Sequence, residues 1–423
     1  MPRGRSDERR RSKTMTMEET TSAGMRKVVL AVRDGIAARF TGRDAEAHGI
    51  ICALLAGEHA LLLGPPGTGK SMLTRAITSA ISDATFWEYL LTRFTEPNEV
   101  LGPIDLKAWS ESGSYARRTA GYLPAAHVGF ADEIFKANSS ILNALLGILN
   151  ERVFHEAGSA IACPLRTCVG ASNELPEGGA AGELAALYDR FLVRFNVQPP
   201  GGEDAFCAIV GGSDAMPPLT STLTLADLDA AQAEVAAVAM PDDTLRAMFA
   251  LTLPLGEESI VVSHRRWKKA TKILRAHAWL DGCIVVDPLH FDILEHVLWD
   301  EPDQQARVRT IVSKVSAPKL AEAIEVRDAV MELVEGLPSA GKLSTEGQAV
   351  MQELTRGIES IESLLDDESS EPVAARIERH LDELDTAAQA LEDRLKSELF
   401  SGGSRRRKRP PGAERRRVGA PRE

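Results

Sequence analysis

The sequence concentrates phosphate-binding chemistry in one glycine-rich loop, which reads Gly64-Pro65-Pro66-Gly67-Thr68-Gly69-Lys70-Ser71. This loop fits the pattern G-x-x-x-x-G-K-[ST], whose glycines let backbone N–H groups close around phosphate oxygens. An apolar run precedes the loop and a helix-compatible run begins at Met72, so the positive end of a helix points at the same anion. In this arrangement Lys70 reaches the β- and γ-phosphates and Ser71 holds Mg²⁺. We therefore predict that residues Gly64 to Met72 bind a nucleoside triphosphate with Mg²⁺.

Two further apolar runs end in polar residues. The first ends at Asp132 and Glu133, and Asp132 stands 62 residues after Lys70. At such a strand end an aspartate can organise the Mg²⁺ shell, and a following glutamate can polarise the attacking water. The second run ends at Asn173, which could orient the water or contact the γ-phosphate, or could simply form a turn. A phosphate loop followed by two acids at this distance predicts a hydrolytic site.

Arginines form the last group of candidates. Arg190 and Arg194 stand four residues apart, and an arginine donated to a neighbour's triphosphate stabilises transition-state charge. The alternative for Arg190 is an ion pair with Asp189. Arg265 and Arg266 open a basic helix that could sense bound nucleotide or form a solvated patch.

The elements that position these residues divide the chain into five segments. Residues 1–24 are polar and are expected to be disordered. Apolar runs alternate with helical stretches over residues 25–200, which predicts an α/β domain with a mainly parallel sheet. Over residues 201–315 the helical stretches predict a smaller, mostly α-helical domain, whose only strand-like run in the sequence is at residues 259–262. A helical region at 316–400 and a basic tail at 401–423 follow.

The C-terminal region has a distinct pattern of apolarity and charge. Apolar residues recur at spacings of three and four from Met351 to Leu365 and from Val373 to Leu395, which predicts an αα-hairpin or short coiled coil. It could be self-contained or could dock a partner. The tail holds nine basic and two acidic residues, so its charge of +7 leaves −19 on the other 400 residues. The acidic body argues against broad nucleic-acid binding, whereas the tail could contact nucleic acid or remain a solvated, disordered end.

Composition narrows the cellular setting. No apolar run reaches the length of a membrane span, and the charged N-terminus lacks the core of a signal peptide. The five cysteines contain no C-x-x-C pair, and their spacing fits neither zinc nor a disulfide framework. We therefore expect a cytoplasmic protein with reduced thiols.

In this order the motifs resemble those of the AAA+ ATPases and, within them, the MoxR branch. The likeness covers about residues 25 to 315. Besides the phosphate loop it is carried by Gly121–His127 leading into Ala131–Ile134, and by Leu142–Leu146 before Asn150–Arg152. Further segments look like the RavA subfamily: Thr92–Thr95, Leu101–Ile104, Ala171–Pro176 and Ser263–Lys269. After about residue 315 the chain departs from that subfamily, because its small β-containing insert has no counterpart here.

The resemblance implies an AAA+ P-loop core with a parallel sheet, an α-helical lid domain, and ATP with Mg²⁺ as ligands. It implies that Lys70 and Ser71 belong to Walker A, Asp132 and Glu133 to Walker B, and that Asn173 is sensor 1. Arg190 is the first candidate for a finger donated in trans, and Arg194 is the second. Arg265 is implied as sensor 2, although its neighbour Arg266 could take that position instead. The resemblance also implies a ring, usually a hexamer, a partner with a von Willebrand factor A domain, and inserts within residues 98–121 and 154–165.

The expected function is ATP-driven remodelling, assembly or activation of protein partners by a chaperone-like ring. Two alternatives stay open. A nucleic-acid-associated motor is supported only by the basic tail. A nucleotide-gated scaffold with little turnover would keep the ATP site without using Glu133, Asn173 and Arg190.

Overall fold

The computed structural model describes residues 24–113, 116–156, 158–176, 184–199, 203–211, 219, 221–337, 346–366, 368 and 371–402. These residues form two compact units, one ending at Ser316 and the other beginning at Ala317. The first 23 residues and residues 403–423 of the basic tail lie outside this part of the chain, so the disorder predicted for them stays a prediction. Among the described helices, none combines the length and apolarity that a membrane crossing requires.

The first unit is built on a five-stranded parallel sheet. Its strands are β1 (His59–Leu63), β2 (Phe86–Leu90), β3 (Val128–Asp132), β6 (Thr167–Ser172) and β7 (Phe191–Asn196), in the spatial order β2-β3-β6-β1-β7. Every residue of β1 and β6 is buried, as expected for central parallel strands covered on both faces. The parallel sheet predicted from the alternation of apolar and helical runs is confirmed.

Helices and a hairpin cover the sheet. The helices of this half are α1 (24–37), α2 (Asp44–Ala56), α3 (Lys70–Ser79), α4 (Pro97–Leu101), α5 (Leu106–Ser112), α6 (Ser139–Glu151) and α7 (Ala185–Tyr188). Strands β4 (Val153–Glu156) and β5 (Ser159–Ala162) pair antiparallel. All four residues of β5 are exposed. The sheet is thus enclosed by helices, while the hairpin presents one strand to solvent.

The remainder of the first unit is helical. It contains α8 (Glu203–Val210), α9 (Leu225–Ala237), α10 (Asp242–Ala250), α11 (Thr252–Glu257), α12 (His264–Leu280), a 3-10 helix (Pro288–His296) and α13 (Gln304–Ser316). The strand-like run at residues 259–262 forms no strand, because it is the short connection between α11 and α12. Ser259 has a positive φ of 60°, and Val261 is exposed. The apolar residues of this half belong to the same core as those of the sheet.

The second unit contains α14 (Pro318–Glu335), α15 (Glu346–Asp366) and α16 (Glu371–Gly402), which pack against one another. The two predicted apolar stripes face inward, since Leu354, Ile361, Ile377, Leu384 and Leu391 are buried. The helical hairpin of α15 and α16 also packs against α14. A Cβ on Gly357 would lie 2.9 Å from Val330 Cγ2, so glycine allows α15 and α14 to approach closely.

Because each unit has its own buried core, a chain that ends at Ser316 is expected to fold and bind ATP like the full chain. A melting temperature within a few degrees of the first transition of the full chain, and an unchanged affinity for a fluorescent ATP analogue, would confirm this. A truncated chain that aggregates or loses ATP binding would show that the first unit depends on the second.

Candidate ATPase site

The phosphate loop connects β1 to α3 in a conformation that glycine permits. Gly67 and Gly69 both have φ near 82°, and a Cβ built on either would meet nothing within 4 Å. Gly64 packs closely instead: its Cβ would lie 2.1 Å from the carbonyl oxygen of Val197. The loop is therefore anchored to the sheet at its start and opens into free space at its tip.

Lys70 ties the loop to the neighbouring strand. Its Nζ donates to the carbonyl oxygens of Gly64 and Pro65 at 2.6 and 2.9 Å, and to Asn173 Oδ1 at 3.3 Å. Burial lowers the pKa of the Lys70 ammonium, while the carboxylates of Asp132 and Glu133 oppose that shift. The ammonium thus uses its three donors inside the site, where the carboxylates of Asp132 and Glu133 attract its charge.

The two acids lie at the carboxyl end of β3. Burial and then the neighbouring charge of Glu133 raise the pKa of Asp132, although a hydrogen bond from the Glu133 N–H, 3.0 Å from Asp132 Oδ1, opposes this. Glu133 has a left-handed backbone with φ of 50°, which is strained for a residue with a side chain. Asn173 Nδ2 donates to Glu133 Oε1 at 2.5 Å, and Lys136 Nζ lies 3.1 Å from Glu133 Oε2.

These residues enclose a cavity of about 260 Å³. Its lining consists of residues Pro66, Gly67, Thr68, Gly69, Lys70, Ser71, Met72, Phe130, Asp132, Glu133 and Asn173. The Ser71 hydroxyl and the Asp132 carboxylate supply oxygen ligands of the kind that Mg²⁺ prefers. A Cβ built on Gly67 or Gly69 would meet no heavy atom within 4 Å, so the tip of the loop has room for a phosphate group. The donor set therefore fits a nucleoside triphosphate with Mg²⁺.

Arg43 is a supporting residue that the motifs did not reveal. This buried arginine stands immediately before α2, where its Nη1 lies 3.1 Å from Glu46 Oε1. Its Nη2 donates to the carbonyl oxygens of Gln198 at 2.7 Å and Thr68 at 3.3 Å. Arg43 thus joins the phosphate loop to α2 and to the residues after β7.

The structure places Arg190 and Arg265 together. Arg190 Nη1 lies 3.5 Å from Asp189 Oδ2, and Arg265 Nη1 lies 4.0 Å from the same oxygen. The side chain of Arg265 is 45% exposed, and its Nη2 donates to Asn150 Oδ1 at 2.6 Å. Neither arginine is among the described residues that line the phosphate-loop cavity. The structure thus contains the ion pair between Arg190 and Asp189 that the sequence left as an alternative.

Arg194 and Arg266 are buried and hold the first unit together. Arg194 is 1% exposed, donates to Trp299 O at 2.5 Å and Asp300 Oδ1 at 2.7 Å, and lies over the ring of Tyr188. Arg266 donates to the carbonyl oxygens of Val297 and Leu192. Arg194 and Arg266 are 1% and 5% exposed, so Arg190 and Arg265 are the more accessible candidates for the finger and the sensor.

Comparison with known proteins gives matches over both halves of the first unit. Residues 26–214 match the model of the MoxR domain in the MoxR-vWA-beta-propeller ternary systems, and residues 243–312 match an AAA lid domain. The uncharacterized protein MJ0812 of Methanocaldococcus jannaschii is 37% identical over 314 residues, which are 74% of this chain and 82% of that protein. MJ0079 of the same organism is 34% identical over 302 residues, 71% of this chain and 78% of that protein.

A solved structure shares the fold. It is the crystal structure of a predicted ATPase from Cytophaga hutchinsonii, which superposes with a TM-score of 0.57 at 17% identity. The match covers 71% of this chain and 97% of that one.

Two substitutions separate binding from turnover at this site. Lys70→Ala removes a charge-assisted contact to phosphate and should weaken ATP binding about 10- to 100-fold. Glu133→Gln should keep ATP affinity within a few-fold and reduce turnover at least about 100-fold, because the base is lost. Calorimetric titration and a phosphate-release assay measure the two effects.

Arg75→Ala is the matched control for Lys70→Ala. Arg75 also lies on α3, but it is exposed and pairs with Glu88 at 2.6 Å, so its loss should leave both quantities unchanged. Equal ATP affinity in wild type and Lys70→Ala would refute the assignment of the phosphate loop.

Proposed function

The chain belongs to the MoxR family of AAA+ ATPases, and we propose that it hydrolyses ATP as a subunit of a chaperone-like ring that remodels, assembles or activates protein partners. The observation that carries this proposal is the continuous hydrogen-bonded path from Lys70 through Asn173 to Glu133, directly beside the phosphate loop. A scaffold that only binds nucleotide would need Lys70 but not a glutamate held in place by an asparagine.

The chemistry follows from the positions of these groups. The loop amides and Lys70 would hold the β- and γ-phosphates, while Ser71 and Asp132 would hold Mg²⁺, which supplies charge neutralisation when bound. Glu133 would take a proton from the attacking water. Asn173 holds the Glu133 carboxylate through Nδ2 and meets Lys70 through Oδ1, so its position couples the base to the group that contacts phosphate.

Assembly into a ring, which we propose to be a hexamer, would complete the site. Arg190 shares Asp189 with Arg265 and lies outside the cavity of its own subunit, so Arg190 is the candidate to reach the nucleotide of a neighbour, while Arg265 stays the candidate for sensor 2. The buried Nε of Arg190 has no hydrogen-bond partner among the described residues, so this guanidinium is not fully satisfied within its own subunit.

Partners are proposed from the family match. The matching MoxR domain is described from systems that also contain von Willebrand factor A and β-propeller proteins. We infer that this ATPase acts with a von Willebrand factor A protein and a β-propeller protein in the cytoplasm. Kinship with the RavA subfamily rests on the sequence motifs alone, and the three-helix second unit is not carried over from it. The nucleic-acid motor has no support among the described residues.

A mixing experiment tests the shared site. Arg190→Ala and Glu133→Gln subunits damage different halves of it. Random mixing at equal ratio should therefore restore about a quarter of the wild-type interfaces and a similar share of the turnover. The measurement is phosphate release across mixing ratios, with mixed rings verified by native mass spectrometry.

Arg246→Ala is the control for the arginine substitution, because the Arg246 side chain is exposed and its ion pair with Asp243 is a long one of 3.9 Å. It should leave wild-type turnover intact. Mixed rings without any recovery would limit Arg190 to its local ion pair.

A further inference from the structure

Three potential metal ligands meet where α2 packs against α12, away from the phosphate loop. His48 and Cys52 lie one turn apart on α2, and His277 lies in the last turn of α12. His48 Nε2 lies 2.9 Å from His277 Nδ1, and Cys52 Sγ lies 3.5 Å from His48 Nε2. All three ligand atoms are within 4.8 Å of one another. Cys52 and His277 are buried, while His48 is half-buried.

These distances suit one small tetrahedral cation. With zinc–sulfur and zinc–nitrogen bonds of ordinary length, ligand atoms are separated by about 3.5 Å for sulfur and nitrogen and by about 3.3 Å for two nitrogens. The Cys52–His48 separation already has the first value. The two histidine nitrogens would need to move apart by only about 0.4 Å to reach the second.

A carboxylate orients one of the histidines. His277 Nε2 lies 2.9 Å from Asp292 Oδ1, on the opposite side of the ring from His48. When Nε2 carries the proton and donates to Asp292, Nδ1 keeps its lone pair, and that lone pair faces His48 and Cys52. Zinc-binding histidines have this arrangement, in which a carboxylate fixes the tautomer and strengthens the ligand.

We propose that His48, Cys52 and His277 bind one Zn²⁺, with Asp292 as the supporting carboxylate. One thiolate and two imidazoles form a ligand set that selects zinc over Mg²⁺ or Ca²⁺, and a water molecule would complete the four-coordinate shell. The proposal stands independently of ATP hydrolysis.

Such an ion would fasten together two helices that serve the ATPase site. Helix α2 is joined to the phosphate loop through Arg43 and Thr68, and α12 carries Arg265 near its start. Zinc would thus brace the helix that presents Arg265 against the helix that supports the loop. None of these ligands lines the phosphate-loop cavity, so we assign the ion this bracing role and no role in ATP hydrolysis.

The test uses the full-length chain without an affinity tag. Elemental analysis after gel filtration should find one zinc per chain. Replacement by Co²⁺ should produce the visible bands of a tetrahedral site together with a near-ultraviolet thiolate-to-cobalt band. Cys52→Ser should abolish the thiolate band, and Asp292→Asn should weaken zinc affinity about 10- to 100-fold.

Cys283→Ser is the matched control, because Cys283 lies just after α12 and is not in the cluster. It should keep the band. If Cys52→Ser fails to fold, His48→Gln tests the same site at its most exposed ligand and should lower zinc affinity at least about 10-fold. Absence of stoichiometric zinc or cobalt binding, or a thiolate band that survives Cys52→Ser, would overturn the proposal and leave a hydrogen-bonded network in its place.

Discussion

The ATPase site depends on a buried ammonium. Burying the charge of Lys70 is costly unless acceptors and opposite charges surround it. Two loop carbonyls and Asn173 take its hydrogen bonds, and the carboxylates of Asp132 and Glu133 attract the charge. The same interactions join β1, β3 and β6, because each of those strands ends at one of these partners. Phosphate would bring more negative charge to an ammonium that the fold has already positioned.

Two buried guanidinium groups stabilise the contact between β7, α12 and the segment after the 3-10 helix. Arg194 bonds to Trp299 and Asp300, and Arg266 bonds to Val297 and Leu192, so the last strand of the sheet and α12 are both tied to the segment that follows the 3-10 helix. These bonds cross the junction between the sheet and the helical half of the first unit. Arg266 thus joins α12 directly to β7 through the carbonyl oxygen of Leu192.

Local signals in the sequence predicted the phosphate loop, the two acids after β3 and the asparagine after β6, because each stands directly at the end of a strand. The carboxyl ends of parallel strands share one edge, so the parallel sheet brings these residues together. Contacts between distant segments carry no comparable signal. Arg43 reaches Gln198, and Arg194 reaches Asp300, through side chains whose partners depend on the whole fold. The cysteine spacing predicted no zinc ligand for the same reason, since Cys52 meets His277 from another helix.

The contrast between Arg190 and Arg194 shows how the fold sorts two arginines of the same strand region. Arg194 is held by several hydrogen bonds and by the ring of Tyr188, and its loss would leave buried acceptors without a partner. Within the described part of the chain, the ion pair found for the Arg190 side chain is the one with Asp189 at 3.5 Å, and Asp189 also lies 3.6 Å from Arg266 and 4.0 Å from Arg265. One carboxylate shared among three guanidinium groups satisfies none of them fully. A side chain held this loosely can turn toward a stronger anion at little cost, which is the property that a finger donated to a neighbour's triphosphate requires.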